Sequence, residues 1–155
     1  MKARHRPSNP PITRGIPAGD AFFLPAIDSQ AIKNRGGYDE EVRWELSDVI
    51  EHVFPRQYQA KYNEIATALV AGLMARGELS GQDLAGFVKR NNYSKATFYN
   101  KVIPRLRRVG MIKRERLGKA ILLSLSDSFG SYLKKISSEW VSLVKTSKRR
   151  KEVKH

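Results

Sequence analysis

Apolar residues return at helical intervals in five stretches of the chain, and between the last two they give way to short β-prone runs. The first stretch begins at Asp39, where Val42, Leu46, Val49, Ile50 and Val53 form a stripe on a helix that stops before Pro55. The second, Tyr58 to Arg76, is the most regular: Tyr62, Ile65, Leu69 and Leu73 keep a 3-4-4 spacing, and Ala66, Val70 and Met74 widen the stripe. Gly77 is placed to cap that helix, and Glu78-Leu79 suits a short strand. In SGQDLAGFVKRNN, Ser80 and Asp83 make a capping box ahead of Leu84, Phe87 and Val88, which predicts a helix over 81–90.

The fourth stretch, SKATFYNKVIPRLRRVGMI, opens on Ser94 as an N-cap, and Tyr99, Val102, Ile103 and Leu106 keep helical intervals until Gly110 ends the run. Its register is open by one residue. Tyr99 lies seven positions before Leu106, but Phe98, eight before it, is the more natural buried side chain. Pro104 offers a reason, because it lacks a backbone N–H and clashes with the preceding turn; a kink or bulge there would absorb one residue. With Tyr99 inward, Thr97, Asn100 and Lys101 point outward; with Phe98 inward, Asn100 still does and Thr97 becomes lateral. Next, MIKRERLGKAILLSLS gives two β-prone runs around Leu117-Gly118-Lys119, a short basic hairpin. In the last stretch, capped by Asp127 or Ser128, Phe129, Leu133, Ile136, Trp140 and Leu143 follow a 4-3-4-3 heptad-like pattern. The stripe through Val42, Leu46, Val49 and Val53 supplies a second seam, which either packs against the first within one chain or joins it in a dimer.

This order of elements resembles the winged helix-turn-helix superfamily over roughly Tyr58 to Ser126, particularly the small prokaryotic regulators of the MarR and ArsR type. Leu106 to Gly110 supplies the L-x-x-x-G ending of their recognition helix. The resemblance implies a mainly α fold with a small β-hairpin, a winged helix-turn-helix flanked by N- and C-terminal helices. Residues 38–146 would form the domain, with the helix-turn-helix at 80–110, the wing at 111–126 and the C-terminal helix at 127–146. The implied partner is double-stranded DNA, with helix 95–109 in the major groove. There Asn100 would pair bidentately with adenine, and Lys95, Thr97 and Lys101 would meet bases or phosphates. Arg105, Arg107 and Arg108, late on the helix, suit phosphate contact or simple solvation rather than base reading. The wing adds Lys113, Arg114, Arg116 and Lys119; alternation separates Ile112, Arg114 and Arg116 from Lys113 and Glu115, so Arg116 and Lys119 at the tip are preferred. Because MarR-like proteins dimerise through their terminal helices, the resemblance also implies a homodimer through Val42, Leu46, Val49, Phe129, Leu133, Ile136, Trp140 and Leu143.

Charge supports a polyanionic partner. The chain of 155 residues carries 29 Lys plus Arg against 15 Asp plus Glu, a formal charge of +14. Residues 80–126 hold eleven basic and two acidic groups, whereas 38–57 hold two and six, so the charge is segregated onto the segment read as DNA-binding. Residues 1–37, rich in Pro, Gly and basic groups, are expected to be a disordered basic arm, and 147–155 a disordered basic tail. Ala21 to Ile27 is an apolar island in that arm, suited either to folding back on the domain or to docking a protein partner.

With no cysteine, zinc-finger, thiol-nucleophile and disulfide readings fall together. His5, His52 and His155 are too dispersed for a metal site, and no P-loop, G-x-S-x-G, H-E-x-x-H or dinucleotide fingerprint occurs. No apolar run approaches the roughly 20 residues that span a bilayer. The expectation is a cytoplasmic, nucleoid-associated, non-enzymatic protein without cofactor, catalytic residues, metal or membrane association. A sequence-specific transcriptional regulator heads the functional expectations, followed by an architectural nucleoid protein and a winged-helix module for protein–protein assembly.

Overall fold

The computed structural model describes residues 22–153. Two short helices, α1 (Gln30–Asn34) and α2 (Leu46–Ile50), precede the long α3 (Arg56–Arg76), which leads through β1 (Glu78–Ser80) into α4 (Gly81–Arg90). Then come α5 (Lys95–Thr97), a π-helical turn (Phe98–Val102), α6 (Ile103–Arg108), the strands β2 (Ile112–Leu117) and β3 (Ala120–Leu125), and α7 (Ser128–Val153). The fold is mainly helical with one small antiparallel sheet of three strands, ordered β1-β3-β2.

Helix α3 runs through the core, burying Ile65, Ala66, Leu69, Val70 and Leu73. Against it pack Leu84 and Val88 of α4, Phe98, Val102 and Leu106, and the sheet residues Leu79, Ile112 and Leu123. Leu79 and Leu123 are cross-strand partners, so the central strand joins the first strand to the hairpin through its buried side chains. The sequence signals for element ends operate as local chemistry. Gly77, at φ 82°, donates its N–H to the Leu73 carbonyl at 2.8 Å and stops α3. Ser80 Oγ accepts from Asp83 N–H at 3.2 Å while the Asp83 carboxylate accepts from Ser80 N–H at 2.9 Å. The Ser80 N–H and then its hydroxyl, with help from Arg76, hold the Asp83 carboxyl below the usual carboxylate range.

Three expectations are corrected. The disordered arm does not reach residue 37. Ser29 caps α1, Ile32 is buried, and Gly36 at φ 88° closes the helix. A helix of five residues is too short to show a period, which is why the sequence concealed it. Phe22 stacks on His52 at 5.7 Å and meets Phe129 edge-on at 5.7 Å, and Phe23 N–H donates to the His52 carbonyl at 2.7 Å. The Ala21 to Ile27 island therefore folds back at Phe22 and Phe23 while Leu24 and Ile27 remain exposed; Ala21 and the arm before it lie outside the described residues.

Second, the helix expected from Asp39 starts only at Leu46, because Glu45 and Asp48 form the capping box there. Residues 39–45 are turns and irregular chain. Val42 therefore leaves the stripe, and Leu46 and Val49 pack against the core of their own chain. Trp44 stacks on His52 at 5.4 Å and donates its Nε1–H to the Arg35 carbonyl, so His52 lies between two aromatic rings. Third, the C-terminal helix continues beyond 146 to Val153, so residues 147–153 are helical. Lys and Arg are good helix formers and favour the negative end of the helix dipole, which reverses the reading of this run as a tail.

Candidate functional site

The site is built on α4 and the helical segment of residues 95–108 that follows it, which contains a wide turn. After α4, Asn92 takes a φ of 53°, and the N–H groups of Asn92 and Tyr93 return to the carbonyls of Lys89 and Val88. This Schellman ending reverses the chain at one of the few residue types that tolerate the left-handed region. Ser94 then caps α5, its Oγ accepting from Thr97 N–H at 3.2 Å.

Within the π turn, Ile103 N–H donates to the carbonyl of Phe98, five residues back. The turn resolves the register that the sequence left open. Phe98, Val102 and Leu106 are each 0% exposed, whereas Tyr99 is 40% exposed. In a regular α-helix, two successive steps of four residues rotate a side chain about 40° each, or about 80° in all. The wider turn counter-rotates the first step, so the three residues share one buried face. Pro104 follows immediately, in the first turn of α6, where its missing N–H is tolerated.

With Phe98 inward, Lys95, Asn100 and Lys101 are exposed and Thr97 is half-buried. Arg105 is taken in the other direction: its guanidinium lies 5.2 Å from the Phe54 ring centroid and its Nη1 donates to Gln59 Oε1 at 3.4 Å. It ties α6 to the start of α3, so its placement with the outward candidates is corrected. Arg107 and Arg108 are exposed at the end of α6. Gly110 closes α6 with a second Schellman pair, Met111 N–H to the Leu106 carbonyl and Gly110 N–H to that of Arg107.

The hairpin pairs Leu117 with Ala120 across a turn formed by Gly118 and Lys119, and Gly118 has the positive φ, 61°, that the first position of a type II′ turn requires. Lys113, Arg114, Arg116 and Lys119 are all exposed. Lys113 reaches Glu115 at 3.1 Å along the outer face. Arg114 and Arg116 stand on the face of Ile112, opposite Leu123 and Ile121, where the hairpin runs past the buried core.

No family model matches the chain, and no curated protein or solved structure matches it significantly. Its chemistry is therefore read from its own geometry. Lys95, Asn100 and Lys101 are each exposed on this helix, and the hairpin cations belong to the same folded unit, held by the core at Leu106, Ile112 and Leu123. Among the described residues no three His, Asp or Glu side chains gather as a metal site, and no helix is long and apolar enough to cross a membrane.

The remaining candidates lie on α7. Phe129 packs against the core and Leu133 is half-buried, but Ile136, Trp140 and Leu143 are 51%, 66% and 62% exposed. An apolar groove of about 520 Å³ starts this face, lined by Phe22, Val109, Phe129, Tyr132, Leu133 and Ile136 among others. Arg107, expected with Arg105 and Arg108 to meet phosphate or solvent late on the helix, lines a second, polar hollow beside Gly110. The signal was the basic run on both sides of a helix-ending glycine, which brings sequence neighbours back together in space.

Proposed function

We propose that this chain binds double-stranded DNA as a winged helix-turn-helix protein and regulates transcription by reading a specific site. The observation that carries the reading is the two-faced helix of residues 95–108. One face is fully buried through Phe98, Val102 and Leu106, while Lys95, Asn100 and Lys101 face outward. A helix held this firmly presents its polar groups at fixed positions, which base-edge recognition in a major groove needs. The element order, with a strand before the helix-turn-helix and a hairpin after it, suits a wing reaching phosphate or minor groove through Arg116 and Lys119. A cytoplasmic, nucleoid-associated location and a non-enzymatic role go with this reading.

Selection of bound fragments from a random duplex pool, near physiological salt, tests it. An enriched motif is the expected outcome. On that motif Asn100→Ala should cost about 1–3 kcal/mol and relax specificity at one position. Arg116→Ala should instead weaken all duplexes similarly and flatten the salt dependence. Equal loss on preferred and random DNA for Asn100→Ala would remove its base-reading role; binding without enrichment would make the protein an architectural one.

The exposed face of α7 favours one addition to the reading, a homodimer. This helix of 26 residues is about 39 Å long, yet among the described residues its apolar contact with the core is confined to its first turns. Ile136, Trp140 and Leu143 then continue at seam spacing in water, an arrangement that a second copy would bury. Ile136→Ala with Trp140→Ala should leave the fold intact and convert dimers to monomers in sedimentation. An unchanged mass would exclude this face as the interface and leave it for a different protein, the role of an assembly module.

A further inference from the structure

We infer that the hollow where α6, β2 and α7 meet is a binding site for a phosphate group. It measures about 670 Å³ and is lined by Arg107, Arg108, Lys113 and Arg114, with the serines Ser126 and Ser128 and no carboxylate. The Schellman ending at Gly110 folds the chain back and sets the last turn of α6 beside the start of β2, so Arg107 and Arg108 share the lining of the hollow with Lys113 and Arg114. Two further bonds fasten α7 to the same place: Phe129 N–H donates to the Gly110 carbonyl at 2.9 Å, and Ser126 N–H to that of Met111 at 2.9 Å.

The side chains of Arg107, Arg108, Lys113 and Arg114 are exposed; Lys113 reaches Glu115 at 3.1 Å, and no carboxylate among the described residues pairs with Arg107 or Arg114. Like charges around one hollow repel each other, and an anion entering it relieves that repulsion. Guanidinium groups present N–H pairs that fit two phosphate oxygens at once, and the Ser128 hydroxyl, which accepts from Ser126 Oγ at 3.0 Å, can supply a further donor. The start of α7 adds its positive dipole end. Its first amides are already used, Ser128 N–H by Ser126 Oγ at 3.2 Å and Phe129 N–H by Gly110, so the cations carry the binding. The guanidinium groups of Arg107 and Arg114, beside a Lys113 ammonium shared with Glu115, match a phosphate or pyrophosphate better than a single carboxylate. The phosphate could belong to a nucleic-acid backbone or to a small phosphorylated molecule. Only the first source rests on the DNA reading proposed above.

Thermal melting of the full chain with pyrophosphate, against sodium chloride at matched ionic strength, tests the site without nucleic acid. The expected result is a saturable rise in Tm of about 5 °C or more at about 100 times Kd. It should be lost in Arg107→Gln/Lys113→Gln and kept in Lys148→Gln/Arg149→Gln, which removes equal charge from distal α7. Should the first double variant melt early in chloride alone, Arg114→Gln takes its place. No saturable rise, or an equal rise in the pocket variant, overturns the inference. In a competition with duplex DNA, displacement by pyrophosphate in the native chain but not in the pocket variant assigns the site to backbone phosphate. A pyrophosphate shift that persists with DNA bound, or in a chain that binds no DNA, assigns it to a small phosphorylated ligand.

Discussion

Phe98→Ala should destabilise the protein by about 3–5 kcal/mol, whereas Tyr99→Ala should cost about 1 kcal/mol or less. The ring of Phe98 is fully buried and touches Phe87 and Tyr99, with centroids at 5.7 and 4.9 Å. Removing it leaves a cavity under the helix that carries the candidate site, between α3 and α4. Tyr99 loses little beyond its edge contact with Phe98, because much of its side chain is already in water. Urea unfolding of both variants, with slopes compared to the native chain, checks this directly. A larger loss for Tyr99→Ala would mean that the π turn does not set the register, and the outward position of Asn100 would have to be reassigned. On the proposed reading as a DNA-binding protein, Phe98→Ala should act through helix position and Tyr99→Ala through local contacts, so only the first should reduce affinity in proportion to lost stability.

Gly110→Ala is expected to cost about 2–4 kcal/mol and to lower Tm by about 5–15 °C. Two effects add. The φ of 81° is one that alanine rarely adopts, and a Cβ built there lies 3.0 Å from the backbone nitrogen of Phe129 and 3.1 Å from the Ser128 side chain. The obstruction is backbone rather than a flexible side-chain tip, so relief requires moving α7 away from α6. A control at Gly118 separates strain from collision: its φ is also positive, 61°, but a Cβ there meets open space. Gly118→Ala should therefore show the smaller loss, and equal losses would mean that contact with α7 contributes nothing. Because Gly110 also shapes the cationic hollow, its variant should weaken pyrophosphate binding even where the chain remains folded.

The sequence marked elements best where a chemical signal coincides with a period. Helices α3 and α4 were legible because long 3-4 apolar spacings are bounded by Gly77 and by the Ser80–Asp83 box, and these signals act within one turn of chain. The hairpin was legible from two β-prone runs around Gly118. Segments without a period were not. The short α1 and the aromatic stack of Phe22, His52 and Trp44 are held by contacts between residues distant in sequence, which no local pattern reports. The stripe from Val42 to Val53 misled because a helical period does not reveal that a cap at Glu45 starts the helix late.

For the candidate site, the outward position of Asn100 was determined by sequence alone, since both registers placed it outside. Choosing between those registers required the tertiary structure: only burial against α3 and α4 shows that Phe98 is inside, and only the bond from Ile103 to Phe98 shows the wide turn that puts it there. Arg105 illustrates the same division, because its helical position suggested solvent while Phe54 and Gln59, far away in the chain, draw it inward. Charge segregation, caps and helix periods are properties of neighbouring residues and can be read along the chain. Side-chain direction at a bulge, the sharing of one hollow by Arg107 and Lys113, and the exposure of α7 beyond Leu133 depend on which surfaces meet, and packing alone decides them.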